Sequence, residues 1–340
     1  MSTICNIPDV DIYLLYYLDI KTTLRVTTIC KDQYALISTL DFIKELRLLK
    51  HNHSNMKVHN IIDYAVVYNY MSLIQWISDS INIFNYTYHT INIAAAYNHI
   101  NILDWFYKSA YKFKYSATIV NTASKKGHVE VLDWFDKSGC KFKCGNAINV
   151  AAANNQIGIL EWFDKSNYEF KYSTAAINQA AGNGYVQVLD WFDKSNRGFK
   201  YSKEAINSAA TNNHINVLDW FDKSDHEFKY DETAINNAAA NNHVGILEWF
   251  DKSDYEFKYD DEAIDGAVYS GHIDVLEWFS KSGYELIYCS AIFFAAQKGY
   301  VSILQWFKDN NLVFHYEKDQ ILEGANNYTV IQWFENNGYF

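Results

Sequence analysis

From residue 61 onward the apolar and polar positions recur with a helical step. In Ala205-Ile206-Asn207-Ser208-Ala209-Ala210, the residues Ile206, Ala209 and Ala210 fall at i, i+3 and i+4, which makes one stripe of a short helix. Alanine at two stripe positions allows close approach by a neighbouring helix. A polar break at Asn212-Asn213-His214 turns the chain. The stretch Ile215 to Ser224 then places Val217, Leu218, Trp220 and Phe221 on a side predicted to be buried, with Asp219 and Asp222 facing water. About nine residues around Phe228 and Tyr230 lead to the next Ala-Ile pair. Each unit thus reads as two short antiparallel helices and a connector. Helices this short do not persist alone in water, so stacking of each pair on the next must supply the stability.

The tryptophans set the register. Trp76, Trp105, Trp134, Trp162, Trp191, Trp220, Trp249, Trp278, Trp306 and Trp333 are spaced 29, 29, 28, 29, 29, 29, 29, 28 and 27 residues apart, and the chain has no others. Around them the units read roughly Ala-Ile-Asn-x-Ala-Ala, a turn ending mostly in His or Tyr, and Val-Leu-Asp-Trp-Phe-Asp-Lys-Ser, with the first and last units eroded. The run Gly127-His128-Val129-Glu130-Val131-Leu132-Asp133-Trp134-Phe135-Asp136-Lys137-Ser138-Gly139-Cys140 resembles the second-helix signature of ankyrin repeats, with Trp134 and Phe135 in its two leucine slots. Ala234 to Ala239 is similar to that family's first-helix signature, without its threonine and proline. The likeness runs from about Ile61 to Phe340 and implies an all-α, ankyrin-like solenoid of about ten units over residues 61–340. The unit of 29 residues is shorter than the usual ~33 of the family, and the loss falls where that family builds a β-hairpin finger. By the same resemblance the end of each first helix faces the concave side. Its sequence varies most at Lys125-Lys126, Tyr269 and Gln297-Lys298, which are the expected partner-binding residues.

Residues 1–60 carry neither tryptophan nor repeat phase. Ile7-Pro8-Asp9 opens like a helix start, and Ile12, Leu15 and Leu18 follow at helical spacing. The stretch Leu18-Asp19-Ile20-Lys21-Thr22-Thr23-Leu24-Arg25-Val26-Thr27-Thr28-Ile29-Cys30-Lys31 is similar to the core of an F-box, with Ile20 in place of a proline and Tyr34 in place of a tryptophan. The resemblance implies a small helical domain in which Ile7, Pro8, Leu15, Leu18, Leu24, Ile29 and Cys30 dock on a Skp1-type adaptor of a cullin ubiquitin ligase while the repeats select the target. The other reading of the segment is a helical cap over the open end of the stack. An F-box-like start ahead of divergent ankyrin repeats resembles proteins of large DNA viruses of amoebae. The bias to Asn, Ile, Lys and Tyr with a single proline, Pro8, suits an AT-rich genome.

Charge narrows the class of partner. Residues 1–60 are net +1 and the remainder net −12, within a total of −11 over 340 residues. A body that acidic opposes nucleic acid and anionic membrane, so protein partners are expected; the chain is expected to be a monomer. No apolar run approaches the ~18 residues of a membrane span, and the first ten residues lack a secretory pattern. Five scattered cysteines point to a reducing, intracellular setting, the host cytoplasm for a viral protein. His99, His128, His214, His243 and His272 recur six residues before tryptophan, and their row invites a metal site or an enzyme. Each stands a full repeat from the next without a Cys or carboxylate companion, which favours a hydrogen bond that caps the turn. No phosphate-binding glycine loop or nucleophile elbow occurs, so no catalytic residue, metal or cofactor is expected.

Overall fold

In a computed structural model the described residues are 58–340 apart from 81–85, 117, 141 and 325–327. The F-box-like residues Ile7, Pro8, Leu15, Leu18, Leu24, Ile29 and Cys30 lie outside them. The described chain is all-helical: twenty helices, from Val58–Val67 to Tyr328–Asn336, and no strand. Two compact units divide it, with described residues 58–151 plus 158–169 in one and 152–157 plus 170–340 in the other.

Within each unit the helices alternate in role. In the first, Val58–Val67 packs on Tyr88–Ala96, which packs on Ile119–Lys126. In the second, Thr174–Gly182, Glu204–Thr211, Thr233–Ala240, Asp261–Ser270, Ala291–Lys298 and Lys318–Gly324 pack in series. Apart from Lys318–Gly324, each of these first helices also packs against the second helix of its own pair, as Glu204–Thr211 does on Ile215–Lys223. The stripe read from the sequence is the stripe that is buried: Ala205, Ile206, Ala209, Ala210, Val217, Leu218 and Phe221 are all at most 1% exposed. Small residues on the first helix allow the close series packing.

The turn between paired helices has a specific cause. Asn213 adopts φ 62, a left-handed conformation that Asn and Gly tolerate better than other residues. That bend lets His214 N donate to Ala209 O at 2.8 Å and Asn213 N to Ala210 O at 3.2 Å, satisfying carbonyls that the helix end leaves open. Asn98, Gly184, Asn242 and Gly271 do the same in their units, which is why Asn or Gly recurs one residue before the His or Tyr position.

The histidine caps a neighbour, not its own helix. His128 Nε2 donates to Ala96 O at 3.0 Å and His99 Nε2 to Val67 O at 3.1 Å, each carbonyl being the last residue of the preceding first helix. His243 donates in the same way to the Thr211 carbonyl, and burial beside His214 and His272 pushes its pKa down. A depressed histidine pKa adds stability above the free-histidine range that is lost as pH falls through the folded value. His243→Gln, which keeps an N–H donor, is therefore expected to change stability by less than about 1 kcal/mol at pH 7.5. It is also expected to weaken the loss of stability between pH 7 and 5, read from urea midpoints. An acid slope identical to that of the unsubstituted chain would remove His243 from the account.

Tryptophan takes a different place from the one its phase predicts. From Trp105 to Trp278 the indoles do not join Leu218 in the core. Phe106, Phe135, Phe163, Phe192, Phe221, Phe250 and Phe279, each directly after a tryptophan, fill that position at 0–1% exposure. Trp105, Trp134, Trp162, Trp191, Trp220, Trp249 and Trp278 are half-buried, and among the described residues Trp306 and Trp333, at 8%, are more enclosed. The indole N–H is the reason. Trp162 donates to Asp133 at 2.6 Å, Trp220 to Asp190 at 2.7 Å and Trp249 to Asp219 at 2.7 Å, so the indole edge must reach a carboxylate of the preceding unit. Asp219, expected to face water, is thus half-buried as an acceptor.

Among the described residues the connectors complete the frame without a hairpin finger. The Phe228 ring stacks on Tyr255 at 4.0 Å and on Trp249 at 5.5 Å, and Phe257 stacks likewise on Tyr284 at 4.1 Å and Trp278 at 5.5 Å. Tyr259 Oη donates to Glu285 O at 2.7 Å and Tyr288 Oη to Val313 O at 2.8 Å, each bond joining one connector to the next. Lys229 and Lys258 lie 4.8 and 4.7 Å from the Tyr201 and Tyr230 rings of the preceding connectors. The recurrent Phe-Lys-Tyr is therefore a stacking and hydrogen-bonding unit, in which burial, Glu256 and Tyr255 push the Tyr230 phenol up to about 12.

Candidate functional site

The first helices are tied together by an asparagine clasp. Asn178 Nδ2 donates to Ser202 Oγ at 2.7 Å while its Oδ1 accepts Ser202 N at 3.1 Å. Asn236 engages Asp260 in the same way at 2.7 and 3.2 Å, and Asn207 engages Asp231. The partner, 24 residues on, stands just before the next first helix. One amide so satisfies a side-chain acceptor and a backbone donor across the unit boundary, the kind of full pairing that buried polar groups require.

At residue 265 the clasp is broken. Asp265 stands where Asn178, Asn207 and Asn236 stand, and Cys289 replaces the Asp or Ser that would face it. Asp265 Oδ2 accepts Ser290 N at 2.8 Å and Cys289 N at 3.3 Å. Its Oδ1 is buried with no hydrogen-bond partner, and the residue is only 8% exposed. Burial pushes the carboxyl up, the backbone donors of Ser290 and Cys289 counter this in part, and Asp261 adds to the rise. Asp265→Asn is therefore expected to stabilise the chain at pH 7.5 by about 1 kcal/mol, since an unmet buried acceptor destabilises by that order. Adding Cys289→Asp should increase the gain by giving the new amide its acceptor. A raised carboxyl pKa means that stability is fully present below the free-acid range and lost as pH rises through the folded value. The advantage of Asp265→Asn should accordingly shrink as pH falls toward 4 in urea titrations. A constant or inverted difference would show that the carboxylate is not under strain.

The broken clasp borders a groove of about 440 Å³ between the first helices, lined by Asn237, Glu262, Asp265, Gly266, Tyr269 and Phe294 among others. Gly266 stands where Gln179, Ser208 and Asn237 stand in earlier units, and an added Cβ there would lie 2.8 Å from Ala240 Cβ. Tyr269 is 47% exposed, meets Phe294 edge-on at 5.3 Å, and carries Lys298 Nζ 3.9 Å from its ring centre. A second groove of about 490 Å³ occupies the equivalent place beside Asn178, Gln179 and Gly182, where the clasp is intact. The two share a position in the repeat and differ in chemistry.

The expected partner-binding residues divide accordingly. Tyr269 and Lys298 come together at the 440 Å³ groove, and Gln297 is exposed next to Lys298 on the same helix. Lys125 and Lys126 are exposed at the end of Ile119–Lys126 in the other compact unit. Sequence reading missed Glu262, Asp265, Gly266 and Phe294. The signal was present: Asp265-Gly266 interrupts a column of Asn followed by a side-chain-bearing residue. Among the described residues no group of three or more His, Cys, Asp or Glu is arranged to hold a metal ion, and no helix is long and apolar enough to cross a membrane. No protein-family model matches the chain, and no curated protein matches it either.

Proposed function

We propose that the chain is a non-catalytic protein-interaction scaffold: an ankyrin-like solenoid whose first-helix face holds a target, with an F-box-like start that hands the target to a Skp1-type adaptor and a cullin ubiquitin ligase. One observation carries the reading. The buried residues repeat nearly unchanged while the exposed face of the first helices opens grooves of different chemistry along the second unit. A frame held constant beneath a changing face suits recognition of a polypeptide, because repeat scaffolds present extended surfaces without altering their core. The F-box half of the proposal rests on residues 7–37 of the sequence.

Affinity capture with the full chain tests both halves. The expected result is a defined target together with Skp1 and cullin, and loss of Skp1 alone from the Pro8→Ala, Leu18→Ala variant. A target retained without Skp1 would leave a plain scaffold with an N-terminal cap. Nothing retained above a control matrix would overturn the scaffold itself.

A further inference from the structure

The groove at the broken clasp has the chemistry of a cation receptor whose carboxylates are left without a cation. Asp265 and Glu262 are one helical turn apart and both line the groove, and neither forms an ion pair among the described residues. Residues 225–265 hold twelve carboxylates against three lysines, so the surrounding field favours a positive ligand. Asp265 Oδ1 is buried and unpartnered, although the frame demonstrates in Asn207 and Asn236 a side chain that would satisfy the same place. A buried acceptor kept unpaired where a paired alternative exists marks a place shaped for something outside the fold. Two aromatic walls, Tyr269 and Phe294, stand perpendicular to each other at 84°. The Tyr269 ring face already attracts an ammonium, that of Lys298.

We infer that this groove receives an arginine side chain from a polypeptide partner, with the guanidinium donating to Asp265 and Glu262 and its plane resting on Tyr269. The inference deepens the scaffold reading and rests on it. Arginine fits better than lysine for two reasons. Its planar fork offers donors to two carboxylates at once, and its weakly hydrated face stacks on an aromatic ring. Gly266, beside Asp265, lets this helix lie close against its neighbour, since an added Cβ would lie 2.8 Å from Ala240 Cβ. The groove beside Asn178 differs: Glu204 lines it, but its amide is satisfied, and Gly182 stands where Tyr269 would be.

The test uses the full chain and a fluorescein-labelled peptide with one central arginine in a Gly/Ser background, followed by fluorescence anisotropy. Citrulline, the uncharged isostere, and lysine replace the arginine in two control peptides. The arginine peptide is expected to bind about tenfold more tightly than the citrulline peptide, and more tightly than the lysine peptide. Asp265→Asn should abolish most of that preference while leaving the circular dichroism spectrum unchanged, because it installs the residue of the neighbouring units. Glu262→Gln, at an exposed position in the first turn of its helix, should reduce the preference without touching the clasp. Equal binding of arginine and citrulline peptides, or a preference that survives both substitutions, would overturn the assignment. Lysine binding as tight as arginine would overturn the guanidinium part of it. The peptide measurement does not depend on partner capture: if capture yields nothing yet arginine is preferred, the groove stands and the scaffold reading falls, and the converse holds for a chain that captures a target but ignores the peptide.

Discussion

Phe221→Ala is expected to destabilise the chain by about 3–5 kcal/mol, and Trp220→Ala, one residue away, by about 2–3 kcal/mol. The order inverts what side-chain size alone gives, and it follows from placement. Phe221 is 1% exposed and its neighbours cannot collapse into the hole it leaves, whereas Trp220 is half-buried and loses one bond to Asp190 together with its stack on Phe199. In an array whose units touch only their neighbours, a local loss of several kcal/mol divides the cooperative unit. Denaturation of Phe221→Ala followed by far-UV circular dichroism should therefore split into two transitions, and that of Trp220→Ala should stay closer to one. A larger loss at Trp220 than at Phe221 would put the indole back in the core.

Gly184→Ala is expected to destabilise by about 2–4 kcal/mol, and Gly198→Ala by only about 1–2 kcal/mol. Both glycines have left-handed backbone, φ 76 and φ 78, so both substitutions incur the same conformational penalty. They differ in what lies beyond. A Cβ on Gly184 would stand 2.7 Å from His214 Nδ1, while one on Gly198 would meet nothing within 4 Å. The difference between the two variants isolates the steric cost of pressing on the histidine that follows in the next unit. Shortening that side chain in the double variant Gly184→Ala, His214→Ala should recover part of the loss. Equal effects at the two glycines would mean that the His214 ring moves aside freely.

The helix pairs were legible in the sequence because their signal is local. The i, i+3, i+4 stripe of Ile206, Ala209 and Ala210 and the Asn or Gly before each histidine are set by backbone geometry within one unit. The placement of tryptophan was not, since helical phase puts Trp220 and Phe221 on the same broad face and only the Asp190 carboxylate, thirty residues earlier, decides between them. The histidines show the same limit. Their capping role follows from the turn, but the carbonyl they cap belongs to the preceding unit, 32 residues back in His99 and His128. The groove at Asp265 was written in the sequence as a departure from a column of asparagines. Its meaning required the clasp, and the clasp joins residues 24 apart. In a repeat protein the variable positions gain sense only once the constant ones have been given their partners.

The central claim is that the first-helix face of the second unit holds the partner while the frame beneath it only supports. Affinity capture compared between the full chain and a Tyr269→Ala, Gln297→Ala, Lys298→Ala variant tests it most directly. These three side chains are exposed, so the variant should keep its circular dichroism spectrum and its denaturation midpoint to within about 1 kcal/mol. The account predicts a defined protein retained by the full chain and reduced at least tenfold on the variant, with any Skp1 association unchanged. Equal retention of the same protein by both would contradict it.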